Sequence, residues 1–600
     1  MKNTTSFLPT TASEHPQGAG TPFDFVIISG DAYVDHPSFG AALIGRVVQS
    51  CGYSVGIIPQ PDWHDPQSFR VLGRPRVAFL ISAGNMDSMV SNYTSAGKPR
   101  RRDSFSPGGR GGRRPDRATL VYTTMAKQAY KGVATIIGGV EASLRRMGHY
   151  DYWSNRVRHS ILQDAKADML LYGMAEPALL ELLRRLRHGE ELRSIEDLRG
   201  SVINRAVVPA HARSYISLPS FSSIRQDRHA YGRSFLVQAE ENDPFRGRGL
   251  IEKDGARFII QNPPAHPLTT KELDDFAELP YTRRWHPMYT HAGGVPALKE
   301  VQFSLLKSRG CFGACSFCAI TFHQGRYIRS RSEESLVREA CHLRDDPDFK
   351  GIIHDVGGPT ANFTHPSCDG QEERGLCKKR HCLYPTPCKK LRVDHRSYLS
   401  LLRRLRALPG IKRVFIRSGI RYDYLCADPD KNFFSDLVKY HVSGRLKVAP
   451  EHCDPEVLAC MGKPSISVFE TFHRQYRQYT AAAGKKQYLV PYFISSHPGA
   501  TLHHAIALAE YMRDAHLRVD QVQDFLPTPA TLSTTMYYTG IDPRTGKSVY
   551  VPRNAREKRL QRALLQYYKK ENAPLVREAL RKAGRHDLIG RGKRCLVGRG

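Results

Sequence analysis

The 600-residue sequence is short of several things, and each shortage excludes something. No stretch reaches the ~18 uninterrupted apolar residues that a membrane-spanning helix needs, so no membrane partner is expected. Residues 1–21 are polar and rich in Thr, Ser and Pro, without the apolar run of a signal peptide, which predicts a disordered start and a cytoplasmic location. Acid is scarce: 58 Asp and Glu face 89 Lys and Arg, for a formal net charge of +31. Such a field attracts nucleic acid or other polyanions without identifying one, and no conspicuous basic/aromatic RNA-binding motif accompanies it. There is no internal repeat. Of the thirteen cysteines only Cys51 precedes residue 311, so no disulfide framework is expected in the first half.

What is present is ordinary globular material. Hydrophobic residues make up 40% and charged residues 24%, which argues against wholesale disorder. At about 100–200 residues per domain the chain should form roughly three or four units, more than a small binding module. In 22–200, the segments FVIIS, SVGII, VAFLIS and ATIIGG read as strands alternating with helix-like stretches, which predicts an α/β domain with a doubly wound sheet. Within it, SAGKPRRRDSFSPGGRGGRRPDRA at 95–118 is too rich in Gly, Pro and Arg for regular structure, and reads as a functional loop or an insertion. Residues 201–294 look irregular, with one strand-like run, ARFIIQNPP, and several prolines, and are expected to link two halves. From 295 to 530, strand and helix periods exchange about six times, as in a partial (β/α) barrel whose active residues lie on the loops after the strands. Residues 531–600 predict a small, basic, helical extension.

The strand EVQFSLLKSRG runs directly into Cys311-Phe-Gly-Ala-Cys315-Ser-Phe-Cys318, three thiols on one short loop. Three cysteine ligands can hold an iron–sulfur cluster and leave one iron open to an external donor. The competing reading is zinc with a fourth ligand such as His323, although zinc favours CxxC pairs over this triplet. A second group, Cys368, Cys377, Cys382 and Cys388, with His381 beside it, suits zinc or an auxiliary iron–sulfur cluster; the alternative is a set of unliganded thiols in an exposed loop.

In its CxxxCxxC pattern the sequence resembles the radical S-adenosylmethionine (SAM) superfamily. That resemblance implies a [4Fe–4S] cluster on Cys311, Cys315 and Cys318, with SAM chelated to the open iron and cleaved reductively to a 5′-deoxyadenosyl radical. It also implies that Gly357, Gly358, Pro359 and Thr360 approach the methionine end of SAM and that Phe317 packs near adenine. Ser418, Arg421 and Glu451 follow later strands and are candidate contacts to SAM or substrate; for each, a plain turn or surface role is the competing reading. GDAYVDHPSFG, QPDW, SPGGRGGRRPDRA and IIGGVEASLRR, with the triplet, resemble the YgiQ-like family of radical SAM proteins, whose reaction is unassigned. A reductant such as flavodoxin or ferredoxin goes with that class.

The first domain is similar in pattern to cobalamin-binding domains, but their DxHxxG motif is replaced by Asp35-His36-Pro37-Ser38-Phe39-Gly40, in which both spacings differ. KVAPEHCDPEVLACMGKP resembles a stretch of the methylthiotransferase-like branch; true methylthiotransferases carry three further cluster cysteines in their N-terminal domain, where this chain has Cys51 alone. The sequence therefore predicts a radical SAM enzyme of unknown substrate, RNA among the candidates. The rival from another class is a non-catalytic iron–sulfur or zinc protein that binds RNA through its basic surface.

Overall fold

A computed structural model describes residues 6–519 and 521–599. The apolar run FVIIS forms β1 (Phe25–Ser29), buried along its whole length, as a parallel strand covered on both faces must be. It pairs in parallel with β2 (Val55–Pro59) on one side and β3 (Ala78–Ser82) on the other; β4 (Ala134–Gly138) and β5 (Met169–Leu171) continue the parallel ladder. Alternate residues point to opposite faces. Ile27, Ile57, Leu80 and Ile136 share a core with Leu43 and Val47 of helix α1 (Gly40–Ser50) and Leu179 and Leu182 of α3 (Glu176–Arg187). Val26, Ile28, Phe79 and Ile137 pack with Tyr122 and Ala126 of α2 (Ala118–Ala129) on the other side. The spatial order β2-β1-β3-β4-β5 is that of a doubly wound sheet, as the sequence predicts.

Two boundaries differ from the sequence reading. Residues 201–294 do not form an irregular link: β6 (Ser201–Arg205), β7 (Ile216–Ser217), β8 (Leu250–Asp254) and β9 (Arg257–Gln261) extend the sheet to nine strands, in the order β7-β8-β9-β6-β5-β4-β3-β1-β2. Only β9, in the strand-like run ARFIIQNPP, reads from the sequence; β6 (SVINR) and β8 (LIEKD) mix polar and apolar residues, and β7 is two residues long. Gly255-Ala256 is the two-residue turn between β8 and β9, with Gly255 in its first position at a left-handed φ of +61°. The expected disordered start is also only part of the picture. Residues 1–5 lie outside the described residues, but Leu8 is buried and the Pro9 carbonyl accepts from Ile57 N at 2.8 Å, so the following residues pack on the sheet.

The second half is a partial (β/α) barrel. Its strands are β10 (Ser304–Leu306), β11 (Ile352–Ile353) and β12 (Asp355–Gly357), β13 (Arg413–Val414), β14 (Arg445–Glu451), β15 (Tyr488–Ser495) and β16 (Gln523–Asp524), and every ladder among them is parallel. Helix α5 (Ile320–Gln324) follows the cysteine loop; α6 (Glu333–Arg344), α7 (Arg396–Ala407), α8 (Pro455–Met461), α9 (Ile466–Ala482) and α10 (Leu502–Asp514) follow in chain order. Leu336, Leu402, Phe472 and Leu508 bury the outer faces of β10 to β15 in one cluster. The last segment does not hang free. Leu532 and Met536 of α11 (Leu532–Thr539) pack on Phe235 of α4 (Arg228–Glu240) in the first half. Helices α12 (Ala555–Leu565) and α13 (Ala573–Lys582) pack on α10. Among the described residues no helix is long and apolar enough to cross a membrane.

A buried charge cluster joins the halves. Glu339 on α6 is paired with Arg283, which leads into the first half, and with Arg331 before α6. Burial opposes its ionisation, yet the two guanidiniums outweigh that and hold its carboxyl at about 2, below its usual 4.5. Glu339→Gln leaves Arg283 without its acidic partner and Arg331 with only Asp274 at 3.8 Å, and is expected to cost about 3–5 kcal/mol in urea unfolding. Because the folded-state value is depressed, the wild-type contribution is complete above pH 4.5 and disappears as the pH falls towards 2, a loss that the variant should lack.

Candidate functional site

The cysteine loop begins where β10 and the short strand after it run out, at the carboxyl end of the barrel. Ala314 takes a left-handed φ of +48°, turning the chain between Cys311 and Cys315. Gly313 is needed there: a Cβ would lie 2.4 Å from an Arg421 nitrogen and 3.3 Å from the Cys311 sulfur. The loop is held from several sides. Ser316 N donates to Met461 O at 2.9 Å, Ser533 N donates to Ser316 O at 2.9 Å, and Cys318 N donates to Cys315 O at 3.1 Å. Burial raises the Cys311 and Cys318 thiols, Cys318 to about 12, and their mutual repulsion adds to it. The three half-buried thiols share one loop, and metal binding would deprotonate them.

The structure brings several expected residues to this loop. Thr360 Oγ1 lies 3.4 Å from Cys311 Sγ. Arg421 Nη1 donates to Cys315 Sγ at 3.3 Å, while its other nitrogens donate to both Asp423 oxygens, at 2.9 and 2.6 Å. Burial works against that guanidinium, but Asp423 and the neighbouring sulfurs outweigh it and keep it firmly protonated. Gly357 and Gly358 end β12 with no room for side chains: a Cβ on Gly357 would meet Ser418 Oγ at 2.3 Å, and one on Gly358 would meet Ser308 at 2.7 Å. Ser418 hydrogen-bonds Asp355 through its hydroxyl, and through its N–H at 3.1 Å. Glu451, at a left-handed φ of +71°, is buried with Lys463 Nζ 3.7 Å away; burial pushes its carboxyl up, and Lys463 and Arg421 pull it back in part.

Pro359 turns instead towards the first domain, where it lines a cavity between the halves. Phe317 packs edge-on to His497 at 6.0 Å, beside Phe525. Asp355, Asp423, Lys307 and Lys463 were not singled out from sequence. Only Asp423 left a signal, its i+2 spacing from Arg421. Lys307 is buried under β10, where desolvation lowers it to about 7 against the pull of Asp355, and it donates to Phe363 O at 2.7 Å.

In the second cysteine group, Cys377 is exposed and Cys368, Cys382 and Cys388 are half-buried. Cys382 Sγ donates to Ser367 Oγ at 3.1 Å; burial raises its thiol, with Cys377 and Cys368 adding to the rise. Arg326 faces Cys382 and Cys377, and burial lowers the His381 imidazole to about 4. Among the described residues no three His, Cys, Asp or Glu side chains close on one point as a single ion requires, at either cysteine group. His36 does not line the cavity that Pro359 lines; it lines a smaller one between the halves, with Lys307, Arg331 and Glu339. Its Nδ1 accepts from Ser38 N at 3.1 Å, Arg283 Nη1 lies 3.4 Å from its Nε2, and burial lowers it to about 3.

The chain was compared with known proteins. The family described as "Radical SAM N-terminal" matches residues 7–304, and a domain of unknown function (DUF3362) matches residues 520–599. A UPF0313 protein of Clostridium botulinum (strain 657 / Type Ba4) is 50% identical over 592 residues, covering 98% of this chain and 92% of that protein. One of Clostridium perfringens (strain 13 / Type A) is 51% identical over 591 residues, covering 98% and 89%. Among solved structures, the radical SAM methyltransferase TsrM from Kitasatospora setae has a TM-score of 0.45 at 14% identity, over 84% of this chain and 74% of that one. The cobalamin-dependent SAM radical enzyme OxsB has a TM-score of 0.45 at 11% identity, over 94% and 62%.

The packing at the end of β12 can be checked without any cofactor. Gly358→Ala forces a methyl group against the Ser308 backbone and should cost about 1–3 kcal/mol in chemical unfolding. Gly419→Ala, whose Cβ meets nothing within 4 Å, should stay within about 0.5 kcal/mol of wild type.

Proposed function

The chain belongs to the UPF0313 family and carries the radical SAM N-terminal region, and from that we propose that it is a radical SAM enzyme whose [4Fe–4S] cluster is held by Cys311, Cys315 and Cys318. One observation carries the assignment to these residues: the thiols share the carboxyl end of a parallel barrel with a glycine-lined strand end and a compensated buried arginine. When bound, the cluster and SAM supply reductive cleavage of SAM to a 5′-deoxyadenosyl radical, chemistry that side chains alone cannot provide. The residues do the rest. The three thiolates are the ligands. Gly357 and Gly358 permit close backbone approach to the methionine end of SAM. Arg421, held by Asp423, keeps Cys315 in place and offers positive charge, Thr360 lies against Cys311, and Glu451 with Lys463 forms a buried polar wall. A flavodoxin- or ferredoxin-like reductant is part of the same proposal.

A narrower reading makes the substrate RNA. It is supported by a cleft of about 590 Å³ at the barrel strands, lined by Arg417, Arg445, Lys447 and Lys486 with Tyr488 and Tyr492. Cations that track phosphates and rings on which bases stack are the elements of single-strand binding. Binding of a single-stranded RNA oligonucleotide should weaken steeply with salt and fall at least tenfold in a Lys447→Glu, Lys486→Glu double variant; salt-insensitive or unchanged binding excludes this reading. A second metal at Cys368, Cys377, Cys382 and Cys388, with His381 as alternate ligand, is a separate proposal. It is supported by the shared electrostatic environment of three of these thiols and Arg326, and it predicts that Cys382→Ala lowers zinc or iron content while the triplet's cluster remains.

The central test uses anaerobically purified protein reconstituted with iron and sulfide, then given SAM and dithionite. Wild type should bind about four irons at the triplet and form 5′-deoxyadenosine, and Cys315→Ala should lose both. Zinc without iron, or a full cluster that forms no 5′-deoxyadenosine even with cell extract as substrate source, favours the non-catalytic RNA-binding alternative.

A further inference from the structure

Between the two halves lies a cavity of about 500 Å³ that the radical chemistry does not account for. Its location follows from the topology. In an open parallel sheet, ligands bind outside the carboxyl ends of the strands where the winding reverses. Here the winding reverses between β1 and β3, and the cavity opens beyond Ser82, Gly138 and Gly173 at the ends of β3, β4 and β5.

From that mouth it runs inward as a slot between two layers. One wall is the sheet, through Ile27, Leu80, Ile136 and Leu171; the other is helical, through Ala41 and Ile44 of α1 and Leu179 of α3. Close-packed interiors tolerate few voids larger than a water molecule. This one persists because small residues stand where larger ones would close it. Gly40 and Ala41 open α1, and Gly139, at a φ of +80°, would set a Cβ 2.6 Å from Ser82 Oγ. Apolar surface is left facing the space: Leu306 and Ile320 line it and are each 38% exposed.

Charge is nearly absent from the lining. Its one cation apart from histidine, Arg309, is committed to Glu176, with Nη1 donating to Oε1 at 2.7 Å. Two polar atoms at the rim are buried without a partner among the described residues, Glu176 Oε2 and His323 Nδ1, and Glu176 is 2% exposed. A phosphate or carboxylate group would find no free counter-charge inside, whereas a flat, uncharged ring would fill the slot, and a donor at its edge would meet the free oxygen.

We propose that this cavity is a second ligand site, which takes an uncharged bicyclic heterocycle into the slot and presents the remainder of that ligand to Ile320 and His323 beside the cysteine loop. Two sources carry such a ring: a purine nucleoside, whose ring-edge amine also donates to the free oxygen, and a corrinoid through its benzimidazole tail, whose anionic phosphodiester would then stay outside the slot. The site goes beyond the radical SAM reading, because it is built mainly by the first domain and does not require the cluster.

The test is made on the full chain carrying Cys315→Ala, so that failure of the cluster assignment leaves it unaffected. Adenosine and aqua-cobalamin are titrated separately by equilibrium dialysis against this protein and against the same chain with Ala41→Trp, whose indole enters the slot from α1. One of the two probes is expected to bind at about one per chain, with at least a tenfold loss in the Ala41→Trp protein. Adenosine alone identifies a nucleoside site and aqua-cobalamin alone a corrinoid site. Adenosine binding that Ala41→Trp leaves unchanged belongs to the SAM site and overturns the proposal, as does retention of neither probe. Should Ala41→Trp melt below the parent, Ile320→Asp at the rim replaces it, with the same tenfold loss expected and unchanged binding again overturning the site.

Discussion

Burying the Arg421 guanidinium beside Cys315 is costly unless its charge is compensated, and Asp423 compensates it through two hydrogen bonds at 2.9 and 2.6 Å. Because Asp423 sits in the short helix Tyr422–Ala427 that follows β13, the pair fixes the cysteine loop to the barrel. The same guanidinium fills the space that Gly313 leaves, so the loop cannot take a larger residue there. Asn362 reinforces the arrangement: its side-chain amide donates to Arg421 O at 3.1 Å and its carbonyl accepts from Arg421 N at 2.9 Å. The position of the thiols thus depends on a charge neutralised within the barrel and not on the loop's own rigidity.

The first domain is bound to this centre by polar contacts that are themselves buried. Arg309, two residues before Cys311, reaches Glu176 at the start of α3. Arg146 lies in the first domain with its guanidinium over the rings of Tyr172 and Phe322, at 4.6 and 3.9 Å; Phe322 belongs to α5, directly after the cysteine loop. Burial lowers Arg146 to about 10, and a hydrogen bond to Gln261 at 2.7 Å holds it. The last segment closes the arrangement from the other side, since Ser533 contacts the loop while α11 packs on α4. Three stretches distant in sequence therefore meet around residues 311–324.

That convergence explains why the site is composite. The barrel supplies the thiols, the glycine strand end and the Arg421 pair; the first domain supplies a cavity wall; the carboxyl-terminal segment supplies an anchor. A protein with this division of labour can bring a second molecule close to the cysteine loop while keeping the sulfurs shielded, which radical chemistry requires.

How much of this was legible in the sequence depends on the range of the interaction concerned. The parallel strands of the first domain were readable because strands buried on both faces are short apolar runs, and the barrel was readable because strand and helix periods alternate locally. The cysteine triplet and the Gly357-Gly358 strand end are likewise local patterns. Of β6 to β9 only β9 was legible, as the strand-like run ARFIIQNPP; the others carry too few consecutive apolar residues to stand out, and only the assembled sheet gives them partners. Thr360, Arg421, Ser418 and Glu451 were named from their places after strands, but their contacts could not be named, since Cys311–Thr360, Cys315–Arg421 and Glu451–Lys463 depend on how separate loops converge. Phe317 and Pro359 show the limit of register: each is adjacent in sequence to residues at the loop or strand end, yet one packs on His497 and the other faces the cavity. Local spacing thus determined which elements form and which thiols share a loop. Tertiary packing alone decided which charges are neutralised beside them and left an apolar space between the halves, because both depend on surfaces that meet only after the chain has folded.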